Sequence, residues 1–222
     1  IIKRINLSLV KSKVIKDVII FGLPFLPAGI FTMVMELSNR YMLEWIEGTY
    51  SVGLFSAGYK LGIFGLIIVM GFNMGWTPYF LKRIKEEGAK KEFSYIASLF
   101  LGLLGFIVIT ISIWIPEIMR LKLGSNYLIG DSFWPPENVV CIVLIGYFFF
   151  GTYVIQLPGV YAKEITTWIP IFRGIGAISN ISLNVILIPK YGVLGSAWAT
   201  AISFAIMSLS VFIKLFNIYY VK

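Results

Sequence analysis

Residues 36–60 read ELSNRYMLEWIEGTYSVGLFSAGYK. Long apolar runs lie on either side, VIIFGLPFLPAGIFTMVM (18–35) before the stretch and LGIFGLIIVMGF (61–72) after it. Glu36, Asn39, Arg40, Tyr59 and Lys60 are thus polar groups set in, or at the edge of, sequence that seeks hydrocarbon. An ionisable side chain at membrane depth is costly, so it faces a water-filled path or a partner. The stretch marks either a substrate path or an interfacial anchor.

Working outward, the composition supports a membrane setting. The 222 residues are 58% hydrophobic and only 14% charged, with a mean hydropathy of +0.86. A soluble domain carries roughly 25% charged residues. Repeated apolar runs near membrane-spanning length predict a multi-pass membrane protein. These runs continue to the C-terminus, which does not fit a cleaved signal peptide. The chain has no His and only one Cys, Cys141. An internal disulfide and a His/Cys metal centre are therefore excluded, and the commonest general base is missing. We expect neither a cofactor nor enzyme chemistry. The chain starts at Ile1 rather than Met, which suggests a piece of a longer protein.

Six spans are expected, at about 17–42, 51–81, 93–115, 138–157, 169–188 and 193–213. Pro24 and Pro27 give a cause for a bend in the first, since each removes a backbone donor. Gly58, Gly62, Gly65, Gly71 and Gly75 form a small-residue face on the second, suited to close helix packing. The basic residues predict orientation. Lys3, Arg4, Lys11, Lys13, Lys16, Lys82, Arg83, Lys85, Lys90, Lys91, Lys163, Arg173, Lys214 and Lys222 flank one side, 14 in number. Arg40, Arg120, Lys122 and Lys190, 4 in number, flank the other. The positive-inside rule puts both termini in the cytoplasm of a cell-membrane protein. The net charge of +8 is thus topogenic, and no nucleic-acid partner is expected. KRIKEEGAKKE (82–92) reads as the main cytoplasmic loop, in reach of membrane lipids. Residues 116–137 read as the longest external connection, with Trp114, Tyr127 and Trp134 suited to an interfacial belt.

Several side chains are candidates for substrate binding. Arg40 lies near the outer face, where an anchor and a functional cation are both reasonable readings. Lys60 lies about 12 Å back from that face, farther than its stem comfortably reaches, which favours a polar cavity. Glu36 and Arg40 are spaced i, i+4 and can pair on one helix face; Glu36 could instead carry a proton. Tyr59 reads as a packing or belt residue, with substrate contact the alternative. Asn73, Asn180, Asn184 and Gln156 would ordinarily make interhelical hydrogen bonds, with substrate contact the alternative. A cavity lined by cations with few acids suits a phosphate-bearing substrate.

LSNRYMLEWI (37–46) with YSVGLFSAGYKLG (50–62) resembles the start of the C-terminal half of polysaccharide flippases. These are the Wzx-type members of the multidrug/oligosaccharidyl-lipid/polysaccharide (MOP) superfamily. SNISLNVILIPKYGVLGSAWAT (179–200) is similar to a second motif of that family, and LGSNYLIG (123–130) and KEITTW (163–168) match in order and spacing. The resemblance implies an all-α membrane fold, with residues 1–222 forming one six-helix lobe of a two-lobed, alternating-access transporter. Its implied partners are the missing N-terminal six-helix lobe, a lipid-linked oligosaccharide and glycan-assembly proteins. Arg40 and Lys60 match the family's Arg and Lys, whereas Asn39 stands where the family usually has Asp. The leading expectation is therefore flipping of an isoprenoid-diphosphate-linked oligosaccharide. The alternatives are a cation-coupled multidrug exporter of the same superfamily, for which Glu36 is the coupling carboxylate, and a non-transporting scaffold for glycan assembly.

Overall fold

The computed structural model describes residues 16, 19, 22–23, 25–123, 126–127 and 137–220. In chain order its elements are α1 (Phe25–Glu47), α2 (Thr49–Arg83), α3 (Ala89–Met119), strands β1 (Lys122–Leu123) and β2 (Asn126–Tyr127), α4 (Glu137–Ala162), a 3-10 turn (Thr166–Trp168) and α5 (Ile169–Tyr220). The strands form an antiparallel hairpin, Lys122 opposite Tyr127, with the Lys122 ammonium 5.0 Å from the Tyr127 ring centroid. Among the described residues the rest is helix joined by short turns, as expected where hydrocarbon leaves no water to satisfy the backbone.

Four helices among the described residues are long and apolar enough to cross a membrane, making this a multi-pass membrane protein. The last runs 52 residues but breaks at Gly192, whose φ of 57° and ψ of −132° are non-helical. It thus forms two arms, 169–191 and 193–220, each longer than the ~20 residues a crossing needs. Gly192 is held to glycine twice over. Its φ is costly for any residue with a Cβ, and a Cβ there would meet both Glu47 carboxylate oxygens at 2.9 Å.

Helices outrun the apolar segments on which the expected spans rest. α1 continues to Glu47, and a single residue, Gly48 (φ 88°), separates it from α2. α3 extends to Met119 and α4 to Ala162. Charged and aromatic residues remain helical beyond the oil, where Tyr41, Trp45, Tyr50 and Trp114 are exposed and suit an interfacial belt. Helical structure at Gly22 gives way to a turn at Leu23 before α1 begins at Phe25, and Pro27 sits in the first turn of α1, where its missing donor removes no intrahelical bond. Pro24, the N-terminal lysines Lys3 to Lys13, Trp134 and Pro135–Pro136 lie outside the described residues.

α4 is the centre of the lobe. Twelve of its 26 residues are buried, against six of 31 in α3. It packs on α2, α3 and both arms of α5, while α1 packs chiefly on α5. The small-residue face of α2 divides in two. Gly62 and Gly65 press on α4, with Val143 Cγ1 at 2.5 Å and Tyr147 Cβ at 3.0 Å from where their Cβ atoms would be, whereas nothing lies within 4 Å of those of Gly71 and Gly75. On α4 itself, Gly146 lets the backbone of Ala201 approach. Close contact of this kind replaces the hydrophobic drive that lipid cannot supply.

Candidate functional site

α1, α2, α4 and α5 line a partly open cavity of about 190 Å³, with Glu36 and Met70 exposed at it. Each helix contributes at its own turn spacing: Thr32, Met35 and Glu36 from α1; Leu66, Met70 and Asn73 from α2; Tyr147, Phe150, Val154 and Leu157 from α4. The two arms of α5 add Arg173 and Phe204. A carboxylate and a guanidinium thus share one mostly apolar chamber.

Glu36 lies 11 residues into α1, roughly 16 Å from its start and so midway along the helix. The described ion pairs are Arg83–Glu86, Arg83–Glu92 and Arg120–Glu137, none involving Glu36. The expected Glu36–Arg40 pairing takes a different form. Arg40 Nη1 donates to the main-chain carbonyl of Glu36 at 3.3 Å, and its guanidinium lies 5.3 Å from the Tyr59 ring centroid. Glu36 itself is exposed and lines the cavity.

Arg173 is the member that sequence reasoning missed. Its place four residues into a helix made it one of the orienting cations. In the fold it donates to Thr32 Oγ1 at 2.9 Å and to the Ala28 carbonyl at 3.3 Å, and lies 5.9 Å from the Tyr153 ring centroid. The i, i+4 spacing of Ala28 and Thr32 on an otherwise apolar helix was the available signal, but nothing in the sequence joins that pair to a residue 141 positions away.

The other expected site residues divide. Asn73 lines the cavity, its Oδ1 accepting from Thr77 Oγ1 at 3.0 Å. Tyr59 backs the cavity rather than lining it; Tyr147, which does line it, donates to Tyr59 Oη at 2.6 Å. Lys60 is exposed on the outer surface of the lobe, on the uncovered face of α2 with Phe64, Ile67 and Met74. Lys60 and Arg40 are not among the cavity's lining residues.

Asn39 is fully buried between α1 and α5. Its Nδ2 donates to Thr200 Oγ1 at 2.8 Å, and its Oδ1 accepts from Asn184 Nδ2 at 2.8 Å. Ser38 and Asn180 continue this network, with Ser38 donating to Asn180 Oδ1 at 2.7 Å. Asn39, Asn180 and Asn184 therefore serve interhelical hydrogen bonding, the ordinary use of amides in a membrane bundle.

The chain matches no protein-family model. It is similar to the multidrug export protein MepA from a bovine strain of Staphylococcus aureus, 25% identical over 222 residues that cover 96% of this chain and 46% of the relative. A MepA from Staphylococcus saprophyticus is 26% identical, covering 90% of this chain and 44% of its own length. The chain thus spans about half the length of the curated relatives it matches. Among solved structures it is similar to a MOP superfamily transporter from Pyrococcus furiosus described as having a binding pocket of reverse polarity, with TM-score 0.70 and 21% identity over 90% of this chain and 43% of that one. An outward-facing multidrug resistance transporter of the MATE family is similar at TM-score 0.65 and 22% identity, over 90% and 44%. The two MepA relatives are named as multidrug exporters, whereas the motifs resemble polysaccharide flippases. The chain has the fold of one half of a MOP superfamily transporter and is similar in sequence to the MepA exporters.

Proposed function

We propose that this chain is one half of a cation-coupled exporter of organic drugs, with Glu36 as the coupling carboxylate. The observation that carries this reading is the position of Glu36: midway along α1, at a mostly apolar cavity that it shares with Arg173, and outside every described ion pair. A carboxylate so placed exchanges a proton or holds a monovalent cation at modest cost, and its charge state alters how α1 sits against α5. Arg173 lines the same cavity and supplies a positive charge there. The similarity to MepA supports a drug as cargo. Substrate passage requires a second lobe, which in this reading is the other half of a longer protein.

The full-length protein carrying Glu36→Gln, expressed in a drug-sensitive host, tests the proposal. Ethidium efflux driven by an imposed cation gradient is expected to be lost at unchanged protein level. Unchanged efflux rejects Glu36 as the coupling group.

One observation favours a second reading, flipping of a lipid-linked oligosaccharide. Lys60 stands on an uncovered face of α2, 11 residues and roughly 16 Å from the start of that helix, where it can meet a diphosphate outside the lobe. Replacing Lys60 and Arg40 together by Gln would then cripple glycan export while leaving ethidium efflux intact. Both termini are cytoplasmic in either reading.

A further inference from the structure

The cavity at Glu36 also has a continuous aromatic wall. Four of its lining residues are rings in contact with one another. Tyr153 stacks on Phe150 with centroids 5.9 Å apart, Phe150 meets Phe204 at 5.3 Å, and Phe204 meets Tyr147 at 6.0 Å. These rings join α4 to the second arm of α5. A wall of this kind offers a flat aromatic ligand the offset and edge contacts that rings favour.

Arg173 stands at the Tyr153 end of this wall. Its Nη1 donates to Thr32 Oγ1 and to the Ala28 carbonyl, and its Nε donates to the Tyr153 hydroxyl at 3.4 Å. Nη2 makes no hydrogen bond among the described residues. All three bonds go to neutral groups, so they orient the guanidinium without cancelling its charge. None of the described ion pairs includes Arg173. A braced guanidinium with a spare donor, at a mostly apolar cavity, suits a carboxylate. Glu36 lies one helical turn beyond Thr32 on α1, roughly 6 Å along the axis, and stands outside the described ion pairs as well. A simple cation at this cavity meets Glu36 but is repelled by Arg173, and a simple anion meets the reverse. Only a ligand with both charges satisfies both side chains.

We infer that the cavity selects aromatic zwitterions over aromatic cations, within the drug-export reading on which this selection rests. Glu36 takes the amine, Arg173 takes the carboxylate, and the ring system lies against Phe150 and Phe204. Arg173 is thus a specificity-determining residue: it rewards a carboxylate on the cargo and penalises a cation that lacks one.

The test uses the purified full-length protein and one fluorophore in two charge states: a rhodamine with a free carboxylate, and its methyl ester. The first is a zwitterion and the second a cation of nearly the same shape. Fluorescence polarisation titrations are expected to show the acid bound about tenfold more tightly than the ester, the effect of one charge-assisted contact. Arg173→Gln should abolish that preference by weakening the acid and tightening the ester. Arg173→Lys, which keeps the charge but loses the planar fork, should retain part of it. Should Arg173→Gln fail to fold without its bonds to α1, the comparison of the two dyes on the unmodified protein still decides. An ester bound as tightly as the acid overturns the inference, as does a preference unchanged in Arg173→Gln. Ethidium, titrated alongside, separates this failure from that of the parent reading. If ethidium binds and the acid has no advantage, zwitterion selection alone falls. If neither dye nor ethidium binds, the drug-export reading falls and the selection falls with it.

Discussion

Asn184 donates its Nδ2 to Asn39 Oδ1 at 2.8 Å, joining the first arm of α5 to α1 where both residues are fully buried. The same Asn39 reaches Thr200 on the second arm, so one amide holds both halves of the broken helix to α1. Asn39→Leu removes a donor and an acceptor from the core, leaving Asn184 with only its bonds to Asn180 and Thr200 with only its bond to Ser196. We expect a loss of about 1–3 kcal/mol, read as a lower midpoint in a detergent thermal-shift assay. An unchanged midpoint would show that the remaining bonds of Asn184 to Asn180 and of Thr200 to Ser196 suffice.

The break at Gly192 makes a coupled prediction. Gly192→Ala places a Cβ at positive φ and within 2.9 Å of the Glu47 carboxylate. We expect it to destabilise the lobe by about 1–2 kcal/mol from backbone strain, plus the contact. Adding Glu47→Ala should recover the contact part only. Full recovery in the double variant would mean that the backbone at 192 tolerates a side chain.

The glycines of α2 predict opposite signs along one helix. Gly62→Ala drives a methyl into Val143 Cγ1 and should cost about 1–3 kcal/mol. Gly71→Ala enters open space on the lobe and should be neutral or stabilising by up to about 1 kcal/mol, since alanine is the better helix former. Thermal melts of the two variants side by side check this. Equal destabilisation would place a packing partner against Gly71.

Arg173 predicts a change in ligand preference. Arg173→Gln removes the fixed positive charge from the cavity that holds Glu36. Ethidium binding should tighten by roughly threefold to tenfold, on the order of 1 kcal/mol, measured by fluorescence titration of the full-length protein. Weaker binding would make Arg173 a direct contact for the ligand or a necessary brace for α1 through Thr32.

What the linear order of residues determined was a membrane-spanning helical bundle, because apolar runs of spanning length must satisfy their backbones internally and helices do so locally. Glu36 and Asn73 were also legible as candidates, since a polar group in an oily run is costly wherever it folds. Helix limits were not, because helices such as α1 and α3 continue past the oil that marks a span. Which polar groups meet was decided by tertiary structure alone. Arg173 joins Glu36 in one chamber, and Asn39 joins Asn184 in the core, across 137 and 145 positions of chain. Lys60, beside Tyr59 in sequence, faces outward because a rotation of about 100° per residue sends helical neighbours to different faces. Only the packing of α2 on α4 determines which of those faces is inside.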